Sequence, residues 1–537
     1  GDAVDEFSET VNITFSNPTG GAVLGELDET VLTIVDQVVQ PGRFRLSETA
    51  AVSSEDAGNA NFIIERFGGS DGAVSVSVNT FDGSAMAGSD YAPTTLTIDF
   101  ADGQTSQSFA VPIINDSIGE RDESFFVELA NATGGAVISA GSSEVTIVDD
   151  EAAAASTFVV TNTNDAGAGS LRQAIVDANA RPGFDFIDFD IPGTGVQTIS
   201  LLTNLPAITD GVWLDGYTQA DASENTLFVG NNAELRVQIT RHVSTLFQEF
   251  GVPDPIHTGI LVEADGVTIR GLVVNGGISK LVHLSDADHF RIEGNFLGSD
   301  VNGQREQVFV GESFRATSTF VGIHVFESSD GVIGGATPGA RNLVIGATYA
   351  GVRIDSGERV QVLGNLLGVR ADGERAPFLL DRQFLYLGQS LFSGEGAGVL
   401  VDGTDHRIGG TAVGESNIIA HHLGNGVTIG DDGTGITIRG NSIHSNGQKA
   451  ISHASKKFPY PVSSTLIYND PGDVDEGSND LQNHPILRAA STSGAGTSVR
   501  GTLSSTPSES FTLDFYTVGV IDPSGFGEAR TWLGDAT

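Results

Sequence analysis

Short apolar stretches that open on glycine recur through the middle of the chain, and this repeat limits the fold more than any other feature. One set reads Gly259-Ile-Leu-Val262, Gly322-Ile-His-Val325, Gly351-Val-Arg-Ile354, Gly398-Val-Leu-Val401 and Gly426-Val-Thr-Ile429. A second reads Val267-Thr-Ile269, Phe290-Arg-Ile292, Val332-Ile333, Val360-Gln-Val362, Arg407-Ile408 and Ile436-Thr-Ile438. A third begins at Asn295, Asn342, Asn365, Asn417 and Asn441. Three short strands per unit of about 20–30 residues cannot enclose a core alone, so the units must stack, each as one coil of a parallel β-helix. The asparagines then fall at a corner of every coil. Asn tolerates a left-handed backbone, and its amide can bond the corner above or below. An asparagine ladder is expected, interrupted at Leu272, which takes the Asn place in one coil.

Alternation along the first strand type turns its apolar residues inward and the residues between them outward. The outward column carries Glu263, His283, His324, Arg353, Asp355 and Asp402. Carboxylates, imidazoles and a guanidinium on neighbouring coils are the groups that acid–base work on a sugar chain needs, so these are the candidate catalytic residues. Other enzymatic signals are thin. Asp431-Asp432 resembles the acid pair of pectin hydrolases, but no Gly-His-Gly accompanies it, and no nucleophile elbow, zinc-binding His-Glu-x-x-His or phosphate loop is present. His421-His422 reads as a loop pair without an evident third metal ligand.

Ahead of the repeat, Leu171, Ala174, Ile175 and Ala178 fall at helical spacing behind Ser170, with Gln173 placed for a capping box. A single helix there would cover the open end of the first coil. Two insertions, 304–320 and 374–396, leave the same corner of the coil and carry phenylalanines expected to pack back on its flank. The acidic run at 469–480 offers a weaker calcium candidate through Asp470, Asp473, Asp475 and Asp480.

The N-terminal end repeats itself differently. Thr19-Gly-Gly-Ala-Val23 returns as Thr133-Gly-Gly-Ala-Val137, Thr33-Ile-Val-Asp36 as Thr146-Ile-Val-Asp149, and Glu6-Phe-Ser-Glu9 aligns with Glu120-Arg-Asp-Glu123. The spacing is that of one β-sandwich. Ser53–Gly58, Thr80–Tyr91, Ile113–Leu129 and Thr146–Glu151 together resemble the Calx-beta family across its whole domain. The resemblance implies calcium held by Glu55, Asp90, Asp116, Glu120, Asp149 and Asp150. Asn115 stands where that family usually has an acid, and the earlier copy ends Asp36-Gln37, so its site looks weakened. The words GNFLGSDVNG, IGGATPGARNLVIG, GNLLGVRADG and IGGTAVGESNIIA resemble a family of right-handed parallel β-helix proteins found in large bacterial surface and secreted proteins. That likeness is specific for fold and says little of activity.

An all-β chain results. The expected domains are half a Calx-beta-like unit at 1–38, a complete one at 41–151, a right-handed parallel β-helix with an N-terminal capping helix at 157–483, and the start of another β-sandwich at 484–537. The formal charge of -42 argues against nucleic acid and anionic membrane surfaces as partners. No apolar run approaches the roughly 20 residues that span a bilayer. Cys is absent, so large cores or metal must replace disulfides. With no starting Met, the chain reads as an internal piece of a larger extracellular or cell-surface bacterial protein. Its expected role is structural or adhesive, with calcium as cofactor and a carbohydrate or cell-surface ligand as partner. The alternatives are a polysaccharide lyase or glycoside hydrolase, and a passive spacer.

Overall fold

The computed structural model describes residues 9–27, 29–34, 40–115, 121–150, 155–241, 257–276, 278–304, 319–374, 396–453, 469–474, 476–493, 496–518 and 528–537. It divides into two units, one ending at Asp150 and one made mostly of residues 151–537.

In the first unit, β1 (Glu9–Thr14) and β2 (Glu29–Ile34) form an antiparallel pair. Nine more strands follow: β3 (Arg43–Leu46), β4 (Ala50–Ser54), β5 (Asn59–Phe67), β6 (Val74–Asp82), β7 (Thr95–Phe100), β8 (Ser106–Pro112), β9 (Glu123–Ala130), β10 (Val137–Ala140) and β11 (Ser142–Val148). They make two sheets, ordered β10-β3-β5-β8 and β4-β11-β9-β6-β7. Strict alternation in β5, β6 and β9 sends Phe62, Ile64, Val76, Val78, Phe125 and Val127 into the space between them. Each such side chain, fully buried, contributes about 1.5–3 kcal/mol. Tyr91 stacks on Phe125 with ring centroids 4.2 Å apart, and its hydroxyl donates to Asp82 Oδ1 at 2.6 Å. The β1–β2 register repeats that of β9–β11: Glu9 faces Ile34 as Glu123 faces Ile147.

The second unit begins with β12 (Thr157–Val160) and α1 (Leu171–Asn179). The four apolar residues of the helical stripe are all buried. The capping box is half made. Ser170 Oγ accepts from Gln173 N at 3.2 Å, but the Gln173 amide reaches forward to Asp177 instead of back.

Three all-parallel sheets follow, of nine, eight and seven strands, and from Val212–Asp215 onward seven successive coils give one strand to each. This is a parallel β-helix, and the three strand types of the sequence are its three sheets. The glycine-led strands form the seven-stranded sheet, which runs from Thr258–Val262 to Ile451–His453. Their recurrent glycine has a steric cause. A Cβ on Gly322 would lie 2.4 Å from the Gly351 carbonyl oxygen of the next coil, and one on Gly259 2.5 Å from that of Leu281.

The asparagine ladder is present. The Nδ2 of Asn295, Asn342, Asn365 and Asn417 each donates to Oδ1 of the next asparagine at 2.8–3.2 Å, ending on Asn441. At the interruption, Leu272 N donates to Asn295 Oδ1 at 3.0 Å. The expected left-handed corner belongs to the glycine before the asparagine: Gly294, Gly364 and Gly440 have φ of 62°, 67° and 67°, whereas the asparagines do not have positive φ. The asparagine serves the ladder through its side-chain amide and through its own N–H, which also donates to the next Oδ1.

At the far end, Asn479 brackets Ile436, accepting from its N–H at 2.7 Å and donating to its carbonyl at 3.2 Å, where a further strand would pair. The hairpin Leu513–Thr517 and Thr531–Ala536 closes another edge. Ile443 and Ala529 exchange backbone hydrogen bonds at 2.7 and 2.9 Å, and Arg439 pairs with Asp514 and Asp535. No helix among the described residues is long and apolar enough to cross a membrane.

Candidate functional site

Two places gather the residues singled out in the sequence. The first is one end of the sandwich. Strands β4 and β11 run parallel with Ser54 opposite Val148, so Glu55 and Asp149 leave neighbouring strands side by side. Glu123 opens β9 against Ile147 of β11. Asp90 lies on the turn before Tyr91, whose bridge to Ile113 brings it beside the following loop, and its carbonyl accepts from Ile114 N at 3.0 Å. Asp90 Oδ2 also accepts from Met86 N at 2.5 Å. Asn115 Nδ2 donates to Asp150 Oδ1 at 3.3 Å, tying that loop to the end of β11.

Glu55, Asp90, Glu123 and Asp149 are each less than a tenth exposed, while Asp150 is exposed. Gathering anionic carboxylates at one protein end is costly unless cations or hydrogen bonds answer them. An all-oxygen donor set of this kind fits a hard divalent cation. Asp116 and Glu120 fall outside the described residues, and among the described residues no three acidic or imidazole groups stand in a complete ligating array. Glu123 was not among the sequence candidates, although its repeat partner Glu9 signals it.

The weaker acidic run is arranged as a turn around an amide. Asp470 Oδ2 accepts from Val474 N at 3.1 Å, Asp473 Oδ1 from Asn483 N at 2.8 Å, and Ser505 donates to Asp473. Asp480 sits in the turn Ser478–Leu481 with φ 54°, and Asp475 lies outside the described residues.

The second place is the outward face of the seven-stranded sheet. His283, His324 and Arg353 occupy one column on successive coils, and Phe326 and Asp355 the next. His324 Nε2 meets Asp355 Oδ2 at 2.9 Å, and Arg353 grips the same carboxylate through Nε at 2.7 Å and Nη2 at 2.6 Å. The His283 and His324 rings stack at 4.7 Å, and Lys280 Nζ lies 3.3 Å from His283 Nε2.

Burial would raise the Asp355 pKa, but hydrogen bonds from His324 and Arg353 outweigh it and hold the group below the usual carboxylate range. Burial lowers His324 despite its Asp355 bond. His283 is pushed down to about 4 by burial, the Lys280 ammonium and its histidine neighbour. Both imidazoles are therefore neutral near pH 7. With its proton on Nε2 toward Asp355, His324 keeps a buried Nδ1 that makes no hydrogen bond among the described residues. Asp402 is raised by burial, with Asp355, Asp432 and Asp431 adding repulsion. Glu263 is exposed and follows Val262, whose register partner is Leu284, so three coils at about 4.8 Å each separate it from Asp355.

Of the insertions, 305–318 and 375–395 lie outside the described residues. Phe320, where the first returns, stacks on Tyr349 at 4.7 Å. His422 is pushed down to about 4 by burial. With His421 it lines a small cavity beside Val344 and Gly351.

Fold and site together define a β-sandwich with an acidic end, on the same chain as a capped parallel β-helix. Residues 39–151 match the family described as Calx-beta domain. Over 130 residues the chain is 30% identical to FRAS1-related extracellular matrix protein 2 of Homo sapiens, covering 24% of this chain and 4% of that protein. Over 69 residues it is 46% identical to sodium/calcium exchanger 1 of Canis lupus familiaris, covering 13% of this chain and 7% of that protein. The chain thus spans only a few per cent of the length of these relatives. A crystal structure of the calcium binding domain CBD12 of CALX1.1 aligns at 28% identity with a TM-score of 0.21, covering 22% of this chain and 53% of that one.

Proposed function

We propose that residues 41–151 bind calcium and that the chain belongs to an extracellular or cell-surface protein with a structural or adhesive role. The observation that carries the reading is the buried carboxylate set Glu55, Asp90, Glu123 and Asp149 at one sandwich end. Asp150, Asp116 and Glu120 would complete an oxygen shell of the size calcium takes. The relatives support both halves of the reading: one is named a sodium/calcium exchanger, another an extracellular matrix protein. In this reading residues 1–38 are part of a second such sandwich, 157–483 form a stiff rod, and 484–537 begin a further sandwich.

The test is a thermal melt with calcium and with chelator, beside a calcorimetric calcium titration. Calcium should raise the melting temperature of the sandwich, and Glu55→Gln with Asp149→Asn should abolish the rise. A melt indifferent to chelator, with no heat on titration, removes the proposal.

One observation favours a second reading. The His324–Asp355–Arg353 contact orients a largely buried imidazole on the outward side of the sheet, a pairing of the kind that acid–base cleavage of a polysaccharide uses. Cleavage of an acidic polysaccharide that both His324→Ala and Asp355→Ala abolish would establish a lyase or hydrolase.

A further inference from the structure

We infer that Asn302 is a site of spontaneous deamidation, at which the Asn302-Gly303 pair closes to a succinimide that water opens to aspartate and isoaspartate. The inference rests on the turn that holds this pair and is independent of what the chain binds.

Asparagine followed by glycine occurs at Asn275, Asn302, Asn425 and Asn446. Glycine has no side chain to shield its backbone nitrogen or to restrict the dihedrals that ring closure needs. In the reaction Gly303 N bonds to Asn302 Cγ, and Nδ2 leaves as ammonia with the proton that Gly303 N gives up. Water then adds to one of the two ring carbonyls and breaks its bond to the nitrogen, which takes a proton back. Opening at Cγ yields aspartate, and opening at the backbone carbonyl yields isoaspartate. One water is consumed and one ammonia released, with no other reagent.

The structure separates the four pairs. Asn275 is buried, and its Nδ2 donates to the Ser299 carbonyl at 2.8 Å while its Oδ1 accepts from Gln238 at 3.1 Å. Asn425 donates to Thr428 Oγ1 at 3.1 Å and accepts from Lys449 N at 3.0 Å. Asn446 donates to the Ile419 carbonyl and accepts from His422 N, both at 3.0 Å. The attacking nitrogens of the last two pairs are tied as well, Gly426 N to the Lys449 carbonyl at 2.9 Å and Gly447 N to that of His422 at 2.8 Å. Asn302, by contrast, is exposed, and its side chain makes no hydrogen bond among the described residues. Gly303 N donates to the Asp300 carbonyl at 3.1 Å, within the same turn, so freeing it does not require neighbouring coils to part. The turn is held to the next coil by a group the reaction leaves intact, the Gly303 carbonyl, which accepts from Ala371 N at 3.2 Å.

The next coil shows that the aspartate product fits. It repeats the turn: Asp300 N donates to the Gln304 carbonyl at 2.7 Å as Arg370 N does to that of Glu374 at 3.0 Å, and Gly373 N donates to the Arg370 carbonyl at 2.9 Å. Asp372 there takes the place of Asn302, and it pairs with Arg370 at 2.9 Å. Arg370 also donates to Gln304 Oε1 at 3.0 Å, which puts a cation beside the turn that would carry the new carboxylate.

The test incubates the full chain in mildly alkaline buffer and follows each asparagine by peptide mass, with ammonia release and isoaspartate content measured alongside. In the folded chain Asn302 should convert at least about tenfold faster than Asn275, Asn425 or Asn446, because those three react only after local opening. In guanidinium chloride the preference should fall to within about threefold, since every pair then has the same glycine neighbour and no bond to break. Asn302→Gln, whose longer side chain closes the ring slowly, should remove the fast ammonia release and the isoaspartate. The inference is overturned if Asn302 in the folded chain converts no faster than Asn425 and Asn446, if the preference persists undiminished in guanidinium chloride, or if Asn302→Gln releases ammonia at the parent rate.

Discussion

Replacing Asn365 by alanine should be among the most damaging single changes in the β-helix. Asn365 is fully buried. Its Oδ1 accepts from Asn342 N at 3.3 Å and from Asn342 Nδ2 at 3.0 Å, while its own Nδ2 donates to Asn417 Oδ1 and to the Ile333 carbonyl. In Asn365→Ala, two buried donors of Asn342 lose their acceptor, and at about 1–3 kcal/mol for each orphaned group the cost is about 2–6 kcal/mol. Asn295→Ala orphans one such donor, the Leu272 N–H, so its cost should be about 1–3 kcal/mol. The assay is urea unfolding followed by tryptophan fluorescence, for which Trp213, buried on the nine-stranded sheet, is the reporter. If Asn365→Ala lies within about 0.5 kcal/mol of the parent chain, or costs less than Asn295→Ala, the buried ladder is not what holds the coils in register.

Three further outcomes are expected. The unfolded chain takes up histidine protons near pH 6.5, whereas folded His283 and His422 do so only near 4. Stability of the β-helix unit should therefore be fully present above pH 6.5 and fall as pH is lowered toward 4, read as the urea midpoint against pH. Ser170→Ala removes the acceptor of the Gln173 N–H and should cost about 1 kcal/mol in the same assay. Asn115→Asp exchanges an amide that donates to Asp150 for a carboxylate beside it. It should lower the melting temperature in chelator and tighten calcium binding in a titration; lowered stability with unchanged or weaker binding would place Asn115 outside the calcium shell.

How far the sequence could be read depended on whether a side chain's role follows from strand period alone. The strand types separate cleanly because seven successive coils each give every sheet one strand, so a recurring order of strands becomes a fixed position in space. The ladder was readable for the same reason. Its backbone cause was not, because the asparagine and the glycine before it are equally recurrent at Gly294, Gly364 and Gly440, and only φ tells which one turns the corner. In the sandwich, Glu55 and Asp149 follow from strand ends, but Glu123 opens a strand and reads by period as an ordinary edge residue. Its burial arises because it faces Ile147 where β11 ends.

Lys280 shows the limit most sharply. It lies three positions before His283, so simple alternation puts the two on opposite sides of the sheet. The strand instead buries Leu281 and Val282 in succession, and the register pairs Thr258 with Lys280 and Ile260 with Val282, leaving out the Gly259 position between them. The register offset of 22 residues is unbroken on either side of that position, so pairing alone does not predict the irregular burial, and Lys280 Nζ comes to 3.3 Å from His283 Nε2. A side chain's face on such short strands is therefore set by local packing, here beside a glycine on which a Cβ would collide with the next coil's carbonyl at 2.5 Å, and not by period.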